Sequence, residues 1–78
     1  MPTVLNINGY RFFFYTNDHS PAHIHIEKGE GTAKFALEPV EIIKSKKFNS
    51  KEIHEIRNLV IKNLEILKLK WNEYHNNN

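Results

Sequence analysis

Residues 4–15 read VLNINGYRFFFY and carry the strongest structural signal in the chain. The pair Asn8-Gly9 is typical of a two-residue β-hairpin, because a type I′ turn requires positive φ at both of its central positions. It separates a short strand over 4–7 from an aromatic strand over 10–15. On the second strand the apolar residues occupy both faces, which predicts a central strand that is covered on both sides. The segment therefore predicts an N-terminal β-hairpin.

Further strands are expected after this hairpin. Residues 22–27 alternate between apolar and polar side chains, and residues 32–37 follow a glycine-containing turn with their apolar side chains on one face. The pair Glu38-Pro39 interrupts this run, because proline cannot donate to the hydrogen-bond ladder of a sheet. Residues 40–43 predict a fifth strand at the edge. The first half is thus expected to form an antiparallel sheet of four to five short strands.

The second half predicts one long amphipathic helix. Asn49 is a good N-cap, and Glu52 stands at the third helical position, as in a capping box. Apolar residues then recur every three or four positions as far as about Tyr74. The apolar stripe is wider than one small sheet needs. It indicates either a helix with some exposed leucines or a helix whose far end contacts a partner or a second copy of the chain. The predicted fold class is therefore α+β, with the sheet packed against this helix.

Size and composition limit what the chain can be. At 78 residues it is expected to form one domain over 1–75, followed by a disordered tail over 76–78. Cysteine is absent, which excludes disulfides and fits a reducing compartment. We find no signal-peptide pattern and no run near the roughly 20 apolar residues of a membrane span, so we expect a cytoplasmic protein without membrane contact. A net charge of +2 does not by itself indicate nucleic-acid binding.

The candidate functional residues lie in 18–27, which read DHSPAHIHIE. On a strand, His23, His25 and Glu27 project from one face, and His19 precedes them in a loop. His-x-His on a strand can present two nitrogen atoms to one divalent metal ion. His19 or Glu27 would complete three ligands and leave a position for water. The first hypothesis is therefore a small metal-binding protein.

Two alternatives need no metal or other cofactor. In one, His23 and His25 act as an acid–base pair on a phosphodiester with His19 assisting, while Arg11 and Lys28 hold the phosphate. In the other, the histidines form a half-buried polar face that is hydrogen-bonded to Asp18, Glu27 or backbone, or that contacts a protein partner. The residues leave open whether the protein is an enzyme. Two further histidines are expected to be solvated, at positions 54 and 75.

The chain also resembles a known family. The residues that carry the resemblance cover nearly the whole chain, at 1–4, 9–15, 19–26, 33–35, 37–40 and 71–72. They look like the small bacterial domain-of-unknown-function family 4160, and its His-x-Pro-x-His-x-His segment is intact here from His19 to His25. The resemblance implies a small protein partner encoded nearby, in a toxin–antitoxin-like arrangement, and more loosely an RNA-directed toxin activity. The alternative is a non-catalytic module that acts as the neutralising member.

Overall fold

The computed structural model describes residues 3–15 and 17–75 of the chain. Within them, five β-strands form one antiparallel sheet, and two α-helices follow. The strands are β1 (Thr3–Ile7), β2 (Tyr10–Phe13), β3 (His23–Lys28), β4 (Gly31–Leu37) and β5 (Val40–Lys46), and the helices are α1 (Ser50–Lys62) and α2 (Leu64–His75). Each strand pairs with the next along the chain. The α+β class and the antiparallel sheet are therefore confirmed, with five strands.

The N-terminal hairpin forms at the predicted turn. The backbone φ is +54° at Asn8 and +83° at Gly9, as a type I′ turn requires, and Ile7 pairs with Tyr10 across it. At the other edge of the sheet, β5 extends to Lys46, three residues beyond the predicted strand. The added residues of β5 pair with the first half of β4, where Ser45 lies opposite Ala33 and Lys46 lies opposite Thr32.

The core lies between one face of the sheet and both helices. Its fully buried side chains come from β2 to β4, the residue after β2 and the two helices: Tyr10, Phe12, Phe14, Ile24, Ile26, Phe35, Leu37, Ile56, Val60 and Leu67. The other face of β2 is covered by neighbouring side chains and not by a second layer. Phe13, on that face, is 5% exposed because it packs against Tyr15 and His25. The sheet thus keeps one face without helices in the described part of the chain.

The single long helix is not confirmed, because the chain forms two helices that meet at Asn63. The predicted start is present, since Asn49 and Glu52 form the capping box. At Asn63 the backbone departs from helical geometry, with φ −110° and ψ 20°. Both its main-chain N–H and its side-chain amide donate to the carbonyl of Leu59, at 3.1 and 2.8 Å. The side-chain bond gives the backbone at Asn63 a local alternative to regular helical geometry, and the two helices meet at this residue.

The apolar stripe of the helices is only partly used by the core. Leu59 and Ile66 pack against it, whereas Ile61 and Leu69 are 53% and 54% exposed. None of the helices in the described ranges is long and apolar enough to cross a bilayer. The predicted disordered tail, 76–78, lies outside the described residues.

Candidate functional site

Asp18, His23 and His25 bring three potential metal-ligand atoms together where β2 ends and β3 begins. The three atoms all lie within 4.8 Å of one another. Nε2 of His23 lies 3.2 Å from Oδ1 of Asp18, and Nε2 of His25 lies 3.3 Å from Oδ2. The side chains are 12%, 8% and 17% exposed for Asp18, His23 and His25. The cluster is thus largely shielded from water, which strengthens every electrostatic interaction within it.

The loop between β2 and β3 holds Asp18 by two hydrogen bonds to one residue. The N–H of Asp18 donates to the carbonyl of Tyr15 at 3.1 Å, and the N–H of Tyr15 donates to Oδ2 of Asp18 at 2.9 Å. Burial opposes ionisation of Asp18, but the Tyr15 N–H and the two nearby imidazoles outweigh it. They lower the pKa of the carboxyl below its usual value. Asp18 is therefore a carboxylate at neutral pH.

The tautomer of His23 follows from its partners. Its Nδ1 lies 2.9 Å from the carbonyl oxygen of Pro21. Because a carbonyl can only accept, Nδ1 carries a proton. Nε2 is buried and makes no hydrogen bond to the described residues, although the Asp18 carboxylate is 3.2 Å away. A neutral His23 thus directs a lone pair at a carboxylate oxygen, a repulsive contact unless a proton or a metal cation lies between them.

His25 is held as a neutral imidazole. Its ring stacks on Phe13, with centroids 5.4 Å apart, and meets the ring of Tyr15 edge-on at 4.6 Å. Burial lowers the pKa of His25 by disfavouring the imidazolium, and this outweighs the attraction of Asp18. His23 and Lys34 act in the same direction as burial. A neutral imidazole is the form that binds metals. Because Nε2 of His25 faces the Asp18 carboxylate at 3.4 Å, that nitrogen would release a proton when it ligates an ion.

Two distances in the cluster are close to those around a single tetrahedral ion. Zn²⁺ bonds of about 2.0–2.2 Å at tetrahedral angles place neighbouring ligand atoms roughly 3.3–3.6 Å apart. From one atom, Oδ1 of Asp18, Nε2 of His23 lies at 3.2 Å and Nε2 of His25 at 3.4 Å. The bond from His23 Nδ1 to a backbone carbonyl is the outer contact that metal-bound histidines commonly make. Three ligands would leave one position for water or substrate.

The sequence that contains this cluster matches a known protein family. The family described as Domain of unknown function (DUF4160) matches residues 9–72. The chain belongs to this family. No curated protein and no solved structure matches it. Asp18, His23 and His25 all lie within the matched range, so the cluster is part of the DUF4160 domain.

The DUF4160 structure brings together only some of the predicted site residues. His23 and His25 meet as the strand alternation predicts. His19 is exposed and does not belong to the cluster of ligand atoms in the described residues. Glu27 lies further along β3, where it forms an ion pair with Arg11. The predicted third ligand, His19 or Glu27, is thus replaced in this cluster by Asp18.

The two predicted phosphate-binding residues lie on opposite faces of the sheet. Arg11 is on the face of His25, with its guanidinium 4.4 Å above the ring of Phe13. Lys28 alternates onto the helix-covered face, where its ammonium lies 4.6 Å above the ring of Tyr10. Lys28 is therefore directed away from the histidines, whereas Arg11 shares a surface with them.

The sequence did not indicate the roles of two residues at or near the DUF4160 site. Asp18 is predicted only as a hydrogen-bond partner of the histidines and not as a possible ligand, because strand alternation places only residues within a strand. His75 was expected to be solvated, yet it is half-buried and lies between the carbonyls of Trp71 and Tyr15. That contact joins residues 60 positions apart in sequence, and no local pattern signals it.

Proposed function

We propose that this DUF4160 protein binds one divalent transition-metal ion through Asp18, His23 and His25. The observation that carries the proposal is the buried Nε2 of His23, which makes no hydrogen bond to any residue within 3–15 and 17–75 and faces the Asp18 carboxylate. Its Nδ1 is committed to the carbonyl of Pro21, so Nε2 is the free ligand atom. A metal ion in the cluster would take the place of a proton between Nε2 of His23 and the Asp18 carboxylate and form a coordinate bond to each.

The donor set favours zinc over the hard cations. Two imidazole nitrogens and one carboxylate suit Zn²⁺ and its transition-metal neighbours, whereas Mg²⁺ and Ca²⁺ prefer sites built from oxygen atoms. With three protein ligands, zinc keeps an open position at which it can activate water or polarise a phosphoryl oxygen. The chain's own residues would fix the three ligand atoms and shield them from solvent. The reaction class that this arrangement supports is metal-assisted hydrolysis.

Metal binding is tested on protein freed of metal with a chelator. Zinc titration by calorimetry should give one ion per chain, and Co²⁺ should give the visible absorption of a four-coordinate site. His23→Ala and His25→Ala should lose this binding. His54→Ala is the matched control, because His54 is an exposed histidine on α1 and should bind as the wild type does. Circular dichroism checks that each variant is folded.

Two outcomes would overturn the proposal. One is a folded wild type that binds neither Zn²⁺ nor Co²⁺. The other is a His23→Ala variant that is folded and binds zinc as tightly as the wild type does. A rise in melting temperature with zinc that is absent in His23→Ala would support it, since a ligand that binds only the folded state stabilises that state.

A second candidate function is metal-free acid–base chemistry on RNA, the activity expected of a toxin-like member. The observation in its favour is that one carboxylate, Asp18, contacts both imidazoles, an arrangement that orients a histidine and stabilises its charged form. His25 would act as the base and a protonated His23 as the acid. RNA cleavage that survives chelation and is lost in His23→Ala would support this candidate. RNA cleavage that is lost on chelation and restored by zinc would support metal-assisted hydrolysis instead.

The toxin role has its own readout in growing bacteria. Induced expression of the wild type should arrest growth, and expression of His23→Ala should not, at equal levels of folded protein. Growth that continues in both cultures would favour the non-catalytic interaction module with its small protein partner.

A further inference from the structure

The sheet face that lacks helices carries a groove of about 270 Å³. It begins at the aromatic side chains of Phe13 and Tyr15 beside His25, crosses β4 and ends on β5. Three lysines line its far side: Lys34 on β4, and Lys44 and Lys46 on β5. We call this surface the basic groove. It lies next to the Asp18, His23 and His25 cluster, because His25 belongs to both.

The lysines of the basic groove lie close enough together to repel one another. Lys34 and Lys44 are direct partners in the pairing of β4 with β5, and Lys46 is the partner of Thr32 two positions further along. Like charges directly opposite each other on a sheet are destabilising. Two adjacent strands that nevertheless carry this pair indicate that the surface serves an anionic ligand.

No carboxylate in the described residues neutralises the three lysines. None of them takes part in an ion pair there. Glu27 is the acidic residue that lines the groove, and it is already paired with Arg11. The positive charge of the groove is therefore available to a ligand.

Aromatic rings at the other end of the groove indicate which anion fits. Tyr15 is 41% exposed and meets His25 edge-on, so part of its ring is open to solvent. A groove with lysines and a solvent-exposed aromatic ring suits a single strand with unpaired bases. The bases can stack on the ring while the phosphates contact the lysines. A duplex keeps its bases stacked inside and could use only the lysines.

We propose that the basic groove binds single-stranded nucleic acid. The phosphates contact Lys34, Lys44 and Lys46, and one base stacks on Tyr15. The inference goes beyond the metal site and does not depend on it, because the groove binds the strand whether or not His25 ligates an ion. RNA and DNA share the chemistry that the groove recognises, and the experiment separates them.

The test is fluorescence anisotropy with labelled oligouridine RNA and oligothymidine DNA, in the presence of a chelator. The double variant Lys34→Gln, Lys44→Gln should weaken binding about tenfold or more. The slope of log affinity against log salt should become shallower by about 1.4, as expected for two lost phosphate contacts to a single strand. Tyr15→Ala should weaken binding about fivefold or more through lost stacking.

The matched control is the double variant Lys51→Gln, Lys62→Gln. It removes the same charge from exposed positions of α1, outside the groove, and should bind as the wild type does. The preferred oligonucleotide identifies RNA or DNA as the ligand.

Three results would overturn the proposal. They are a wild type that binds neither oligonucleotide, an equal loss of affinity in the two lysine double variants, and binding of polyglutamate as tight as that of RNA. The last result would assign the surface to acidic peptides. Because the chelator is present throughout, none of these results depends on the metal site.

Discussion

Nε2 of His75, at the end of α2, lies 3.0 Å from the carbonyl oxygen of Tyr15. Nδ1 of the same ring lies 3.1 Å from the carbonyl oxygen of Trp71. Carbonyl oxygens can only accept, so a ring N–H donates at this position and the imidazole contacts both α2 and the loop after β2. Because Tyr15 also holds Asp18, His75 connects α2 to the cluster of Asp18, His23 and His25.

Replacing His75 should therefore affect both stability and the site. We expect His75→Ala to lower the free energy of unfolding by about 0.5–1.5 kcal/mol, the usual net contribution of a hydrogen bond. Zinc affinity should also fall, because the loop around Tyr15 loses its contact with α2. Urea unfolding and calorimetry measure the two effects. His54→Ala is the control and should change neither, and an unchanged His75→Ala protein would refute the connection.

The stability of the metal-free protein should fall as the pH drops below about 6.5, in part through His25. Its pKa in the folded state lies below the usual value of 6.5, so the unfolded chain takes up the proton first. The contribution is complete above the unfolded pKa and is lost as the pH falls towards the folded pKa. Urea unfolding with a chelator between about pH 7.5 and 5.5 should show a smaller slope for His25→Gln than for the wild type. Equal slopes would contradict this assignment.

The predictable parts of this protein are those that local patterns encode. The turn at Asn8-Gly9, the alternation of His23 and His25 and the capping box at Asn49 each involve residues a few positions apart, and all three are present. The break at Asn63 was missed because the apolar spacing continues through it. There the deciding contact is a side-chain amide that shares the carbonyl of Leu59.

The rest of the site depends on contacts that sequence spacing does not encode. Asp18 joins the histidines because its loop folds back on Tyr15. The basic groove exists because β5 extends beyond the predicted strand and places Lys44 opposite Lys34. Both require the pairing register and the loop path, which form only when the whole sheet is assembled.

Gly31, at the start of β4, should tolerate no side chain. A Cβ atom there would lie within 3.0 Å of three ring atoms of Phe48, which packs edge-on against Tyr10 at 6.0 Å. We expect Gly31→Ala to cost about 1–3 kcal/mol in the free energy of unfolding, the range for overpacking a core. Adding Phe48→Leu should recover part of this loss, because neighbouring substitutions couple.

A second glycine provides the control for this steric explanation. Gly29 has φ +58°, and a Cβ there would meet nothing within 4 Å. Gly29→Ala should therefore lose stability through backbone strain alone, by about 1–2 kcal/mol, and Phe48→Leu should recover none of it. Equal recovery in the two backgrounds would show that the Phe48 contact is not the cause.

The ligand set itself can be decided by comparing three substitutions. Asp18→Asn keeps the size of the side chain and an oxygen for the Tyr15 N–H, but it removes the charge that faces both imidazoles. We expect it to weaken zinc binding by about 100-fold or more, since even outer-shell partners contribute 10–100-fold. His19→Ala and Glu27→Gln should bind zinc as the wild type does, because His19 is exposed and Glu27 is paired with Arg11. The contrary result would be a loss of zinc affinity in His19→Ala or Glu27→Gln while Asp18→Asn binds zinc normally. The third ligand would then be His19 or Glu27, as the sequence pattern predicts. In that case the loop around Asp18 would have to rearrange when the metal binds.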